Sequence, residues 1–128
     1  MIIGIGTDLV EIARIEKAIT RFGAQFLNRV FTANEQEAAA LRGDQPRFYA
    51  MRFAAKEAAW KALSPGRGQG VGWHDLEITA SKDGKPELHF HGKAKEVFGK
   101  MVDGGGKTNL SLSDDGGMAL AFVVLSAP

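Results

Sequence analysis

A helix that is apolar almost all the way round cannot lie on a surface; it has to be enclosed, and the rest of the chain must supply the enclosure. Residues 46–63 form such a helix. Pro46 suits the first turn, where its missing N–H costs nothing, and the Ala, Met, Leu, Lys and Glu that follow are strong helix formers. Phe48, Met51, Phe53, Ala54, Ala55, Ala58, Ala59, Trp60, Ala62 and Leu63 cover most of the cylinder. Glu57 and Lys61 lie four apart, with Phe53 one turn below on the same face. Taken by itself that spacing gives an intrahelical ion pair, worth about 0.3–0.5 kcal/mol when exposed. Structural ion pairs greatly outnumber active sites, so a catalytic reading needs more than the helix.

With 128 residues the chain is the size of one domain, residues 1–128, long enough to bury a core without staples. Sixteen basic against fifteen acidic residues leave a net charge of +1, so nothing global marks a nucleic-acid binder, and no aromatic-basic stacking surface is legible. The absence of cysteine excludes disulfides, thiol nucleophiles and zinc-thiolate sites, and is compatible with a reducing cytoplasm. The start, Met-Ile-Ile-Gly-Ile, lacks the features of a secretory signal, and the longest apolar run, residues 118–125, is too short to span a bilayer. The expectation is a soluble, untargeted, cytoplasmic protein with no membrane partner.

Residues 1–5 read as a buried strand, interrupted by Gly6 and Thr7 as a turn. A helix then carries Ile12, Ile15, Ile19 and Phe22 on one face and Arg14, Ala18 and Arg21 on the other. Asp8 and Glu11 fit a capping box at its start. Alternatively, Asp8 at the end of a strand offers an oxygen ligand to a hard cation, for which a second carboxylate would be needed. Arg14, Arg21 and Arg29 form either a solvated edge or a cationic strip for a partner. A capping box at Thr32 and Glu35 opens a helix running through Leu41 and Arg42. The Gly-rich residues 64–72 are a connector or a phosphate wrap, and they fail the spacing of a dinucleotide fingerprint.

Residues 75–80 and 86–91 alternate as a hairpin, with His89 and His91 on one face, a surface or packing pair in the absence of a third metal ligand. Residues 93–102 form a short helix. Gly106-Lys107-Thr108 is not a nucleotide-binding loop, because it lies between a helix and a strand in the wrong order. Residues 108–113 and 118–125 complete a second hairpin, with Asp114 and Asp115 as turn residues. The order predicts an α+β fold, helices gathered on one side of a largely antiparallel sheet.

Three pieces, residues 4–15 (Gly-Ile-Gly-Thr-Asp-Leu-Val-Glu-Ile-Ala-Arg-Ile), residues 52–62 (Arg-Phe-Ala-Ala-Lys-Glu-Ala-Ala-Trp-Lys-Ala) and residues 110–114 (Leu-Ser-Leu-Ser-Asp), together resemble the holo-[acyl-carrier-protein] synthases. These are the small trimeric class of 4'-phosphopantetheinyl transferases. Gly84-Lys85-Pro86 matches a further piece, and the resemblance covers nearly the whole chain. It implies the 4'-phosphopantetheinyl transferase fold with a central buried helix, assembled as a homotrimer with sites at subunit interfaces.

The activity it implies is Mg2+-dependent transfer of phosphopantetheine from coenzyme A to a serine of apo acyl carrier protein, in the service of fatty acid biosynthesis. Adenosine 3',5'-bisphosphate would be released. By the same resemblance Asp8 and Glu57 would hold the metal, Glu57 would be the candidate base, and Lys61 would lie beside the coenzyme A phosphates. Arg52, Gly84, Lys85 and Pro86 fall to the coenzyme A site, Arg47 and Arg52 being equally open to the carrier protein. Arg14 and Arg21 match the edge that meets the acidic carrier.

Two departures stand out. Asn109 occupies a position where the family commonly has His, and Ser64-Pro65-Gly66-Arg67 replaces a Gly-Thr-Gly-Ile loop, so that Arg67 becomes the candidate substitute cation. The alternative is a non-catalytic coenzyme A or carrier-protein binding module.

Overall fold

The computed structural model describes residues 1–63 and 70–128. Its centre is α4 (Gln45–Ala62), capped by Asp44, whose carboxylate accepts from the Arg47 N–H, with Pro46 in the first turn. Ala50, Ala54, Ala55, Ala58, Ala59 and Ala62 are all completely buried. So small a surface lets the helix lie almost backbone to backbone on β1 (Ile2–Glu11). A Cβ at Gly6 would collide with the Ala58 carbonyl and come within 2.8 Å of the Ala62 nitrogen, and one at Gly4 would collide with the Ala62 carbonyl.

Beneath α4 lies an antiparallel sheet in the order β1, β5 (Met118–Ser126), β4 (Lys107–Asp115). Val10, Leu110, Ala119, Ala121, Val123 and Leu125 are its buried inner row. A second antiparallel pair, β2 (Leu76–Ala80) and β3 (Pro86–Phe90), closes another side of α4. Around these pack α1 (Ile12–Phe22), α2 (Ala24–Val30), α3 (Ala33–Ala40) and α5 (Gly92–Val102). The fold is α+β, as expected. Among the described residues no helix is long and apolar enough to cross a membrane.

Both hairpins and the Thr32–Glu35 capping box form where the sequence places them, except that Asp114 and Asp115 continue the β4 ladder opposite Ala119 and Met118, leaving Gly116 and Gly117 as the turn. The first strand does not. It runs on to Glu11, pairing with β5 from Gly4↔Leu125 through Glu11↔Met118, so Gly6 and Thr7 are ladder residues and no turn. Asp8 opposes Ala121 in mid-strand, and Glu11 precedes α1 without a side-chain cap, so the Asp8–Glu11 capping box is absent. Two causes outweigh the local signal: β5 supplies a partner for the whole strand, and the glycines provide clearance for α4. The third helix also stops at Ala40, leaving Leu41 and Arg42 in the turn beyond it.

One fully buried ion pair fastens the layers. Lys56 Nζ lies 2.9 Å from Glu35 Oε1 and also donates to the Trp73 and Leu76 carbonyls, while Glu35 accepts from the Thr32 and Ile78 N–H groups. Burial lowers the Lys56 pKa, and Glu35 opposes that shift.

Gly6→Ala is expected to lower unfolding free energy by about 1–3 kcal/mol or more, read from urea denaturation, because neither colliding atom is a side-chain end that can swing away. Gly43→Ala, where an added Cβ meets nothing within 4 Å, stays within about 0.5 kcal/mol of the parent.

Candidate active site

The close contact of α4 and β1 decides where the acidic groups fall. Gly4 abuts Ala62 and Gly6 abuts Ala58, so the two elements run in opposite directions. Two strand residues advance about 6.6 Å and four helical residues about 6 Å, which matches the two steps. The next inward residue, Asp8, therefore stands beside the turn of α4 that ends in Glu57. Lys61 reaches across, its Nζ donating to Asp8 Oδ1 at 3.2 Å and to the Thr7 carbonyl at 3.0 Å. Among the described residues there is no Glu57–Lys61 ion pair; the lysine that was expected to close on its own helix closes on the strand instead.

Glu57 is half-buried and its pKa is raised, first by burial and then by the charge of Asp8, with Lys61 and Arg14 pulling the other way. Asp8, Glu57, Lys61 and Arg14 are thus one electrostatic unit, drawn from β1, α4 and α1. Two neighbouring carboxylates, one of them held back from ionising by burial and by the charge of the other, are a suitable donor set for a hard divalent cation. Among the described residues no cluster of three or more His, Cys, Asp or Glu side chains converges. Any such ion would take the rest of its oxygens from phosphate and water.

Toward the start of the same helix, a cavity of about 390 Å³ is walled by Arg42, Arg47 and Arg52, with Gly84 and Pro86 from the β2–β3 turn and Leu112 from β4. Arg52 is only 8% exposed, and its Nε is buried with no hydrogen-bond partner among the described residues. Its guanidinium lies 4.0 Å from the centre of the Phe48 ring, and Arg42 lies 5.2 Å from the same ring. Burial, with the neighbouring Arg42 charge, lowers the Arg52 pKa to about 10. A guanidinium with a buried, unbonded Nε and a second guanidinium nearby is a strong claim on an anion.

A smaller cavity of about 240 Å³ between β3 and β4 is lined by Lys85, Pro86 and Asn109, so Pro86 borders both. Gly84 holds a positive φ of 83° in the turn, a conformation that favours glycine. Asn109 is exposed, its Nδ2 donating weakly to the Val124 carbonyl at 3.4 Å.

The structure thus groups Asp8, Glu57 and Lys61 at one centre, Arg47, Arg52, Gly84 and Pro86 at a second, and Lys85 and Asn109 at a third. Arg14 borders the first, while Arg21 lies further along α1, exposed and packed 5.1 Å from the centre of the Phe22 ring. Arg67 falls outside the described residues. His91 bonds Glu77 and His89 bonds Thr79, both histidines being exposed, in keeping with a surface role. Sequence did not point to Arg42 as a wall of the cavity or to Asp114 as more than a turn residue. Asp114 is held by both Nε and Nη2 of Arg47, 67 positions away, a partnership with no local signal.

Residues 4–121 match the 4'-phosphopantetheinyl transferase superfamily. The chain therefore belongs to that superfamily, and within it to the holo-[acyl-carrier-protein] synthases, a family of enzymes. It is 46% identical to the Methylorubrum populi holo-[acyl-carrier-protein] synthase over 99% of this chain and 95% of that one. The Neisseria meningitidis holo-[acyl-carrier-protein] synthase structure superposes with a TM-score of 0.85 at 36% identity, covering 98% of this chain and 99% of that one. A Bacillus anthracis holo-(acyl-carrier-protein) synthase structure, in complex with CoA (3',5'-ADP), gives a TM-score of 0.79 at 36% identity, covering 100% of this chain and 99% of that one.

Because Glu57 binds its proton more tightly folded than unfolded, its ionisation opposes folding. The loss begins as pH rises past the ordinary value of 4.5 and is complete above the raised value. NMR titration of the metal-free protein is expected to place Glu57 above the usual carboxyl range. Asp8→Asn should lower that value in part and Lys61→Met should raise it, while Glu57→Gln flattens this part of the stability profile.

Proposed function

We propose that this chain transfers 4'-phosphopantetheine from coenzyme A to a serine of an apo acyl carrier protein, releasing adenosine 3',5'-bisphosphate in a Mg2+-dependent reaction. The observation that carries this reading is the pairing of two opposite charge demands on one helix. Glu57 and Asp8 call for a cation, and Arg52, five residues before Glu57 and so about 7.5 Å along the axis, calls for an anion. Coenzyme A carries a diphosphate and a further phosphate, and its complex with the Bacillus anthracis relative agrees with such a ligand.

In this reading Asp8 and Glu57 would hold Mg2+, which supplies charge neutralisation at the diphosphate. Lys61 brings a point charge to the same region and, in the metal-free protein, rests on Asp8. The three arginines bind and orient the anionic nucleotide end, with Gly84 and Pro86 allowing close approach and Lys85 and Asn109 extending the contact through the smaller cavity. The carrier serine oxygen attacks the phosphorus that bears the pantetheine. The bond from that phosphorus to the bridging oxygen of the diphosphate breaks, and the leaving group departs as adenosine 3',5'-bisphosphate. Glu57 is the candidate acceptor of the serine proton, its raised pKa bringing it nearer to the working pH of a general base.

Arg14 and Arg21, both exposed, would meet the acidic carrier in a salt-sensitive way. The outer face of the β1-β5-β4 sheet supports the homotrimer. Ile5, Leu9, Leu120 and Phe122 are 55%, 59%, 40% and 43% exposed, and the last two lie beside Leu9 and Thr7 in register. So concentrated an apolar face suits association with further copies of the chain, which would place the sites at subunit boundaries. A cytoplasmic setting for fatty acid biosynthesis fits the absence of cysteine.

Mass spectrometry of apo carrier protein incubated with the protein, coenzyme A and Mg2+ should show the phosphopantetheine mass on the serine. No gain would leave a binding module. Asp8→Ala and Glu57→Ala are each expected to cut the rate by about 10²-fold or more with an unchanged circular-dichroism spectrum. Phe122→Glu should shift the sedimentation velocity from trimer to monomer and lower activity with it; a variant that remained trimeric would refute the assignment of this face.

A further inference from the structure

Arg47 is held by one edge only. Its Nε donates to Asp114 Oδ2 at 2.8 Å and its Nη2 to Asp114 Oδ1 at 2.7 Å, a parallel fork that, among the described residues, leaves both N–H groups of Nη1 and one of Nη2 uncommitted. Arg47 borders the arginine cavity, whereas Asp114, which grips its Nε–Nη2 edge near the end of β4 opposite Ala119, is not part of the cavity wall. Asp44, the carboxylate that does reach the wall, is committed to the Arg47 N–H as the cap of α4. Arg47 is half exposed, and a long side chain there has many rotamers to lose when a ligand arrives.

We propose that Asp114 is a positioning residue for coenzyme A binding: by locking the Nε–Nη2 edge of Arg47 it keeps the opposite edge ready for the anion in the cavity. This rests on the reading of that cavity as the coenzyme A site. The fork also sets a negative charge beside a wall on which the Arg42 and Arg52 guanidiniums repel each other. The opposite role would be a plug, with Asp114 competing against the anion for Arg47. The two differ in sign: loss of a positioning residue weakens binding, and loss of a plug strengthens it.

The test compares Asp114→Asn, Asp114→Glu, Arg47→Ala, Arg52→Ala and the double variant Arg47→Ala/Asp114→Asn. The readouts are KM for coenzyme A, kcat, and calorimetric affinity for adenosine 3',5'-bisphosphate. Asp114→Asn should raise KM about 2- to 10-fold and weaken the bisphosphate in proportion, with kcat changed less than about 2-fold, the size expected for lost preorganisation of one side chain. Asp114→Glu should recover part of the loss, and in the Arg47→Ala background the second change should add nothing. A lower KM in Asp114→Asn, or full additivity in the double variant, overturns the proposal. If Arg47→Ala and Arg52→Ala raise KM but Asp114→Asn does not, the positioning role alone fails. If neither arginine variant changes KM, the cavity assignment fails as well.

Discussion

The approach of the α4 backbone to β1 sets every other distance at the site. A strand residue with a Cβ at position 6 would hold the helix off, and a leucine in place of Ala58 or Ala62 would do the same from the other side. With both surfaces stripped to glycine and alanine, a side chain two residues further along the strand reaches the level of the helix's own functional groups. Asp8 and Lys61, 53 positions apart, come within 3.2 Å through this contact. The core and the site share one cause, so what disturbs the packing disturbs the chemistry.

Adjacent residues on α4 illustrate how completely the surroundings decide what a charge is for. Lys56 is wholly buried and has three acceptors for its three N–H donors, in Glu35 and two carbonyls. Nothing is left over, and it fastens α3, α4 and β2 together. Glu57, next in the chain, is left with a like charge beside it and its nearest cations shared. Arg52, one turn before Lys56, has a buried nitrogen with no partner among the described residues. Satisfied ionic groups hold this fold; unsatisfied ones mark where it expects a ligand.

Elements specified by local chemistry were legible in the sequence. The all-round apolar pattern found α4, alternation found the two hairpins, and the Thr32–Glu35 pair found the start of α3. What failed depended on remote partners. Gly6 reads as punctuation until α4 is seen above it, and Asp8 reads as a cap until β5, more than a hundred residues away, is seen to continue the ladder. Glu57 and Lys61 carry the spacing of an ion pair, but the strand offers the lysine a carboxylate and a carbonyl together. Asp8 and Glu57 were linked by family resemblance, and local periodicity contains nothing that joins them. Arg42 and Asp114 lay beyond both approaches, because their significance exists only once α4, the β2–β3 turn and β4 enclose a cavity.

The polarity of α4 gives a reason for the order of its charges. Its first turn, where free N–H groups carry partial positive charge, adjoins Arg42 and Arg47, so that end of the helix and its side chains favour an anion together. Its last turn, with partial negative charge on the carbonyls, carries Lys61, which favours the helix and faces Asp8. Glu57 lies between, close enough to Asp8 for the Asp8 charge to raise the cost of ionising it. A ligand with separated phosphates, accompanied by a divalent cation, would relieve both demands at once: phosphate at the arginines, cation at the carboxylates. Because both centres sit on one rigid helix, their spacing is fixed before the ligand arrives, and less of the binding free energy is spent on ordering the protein.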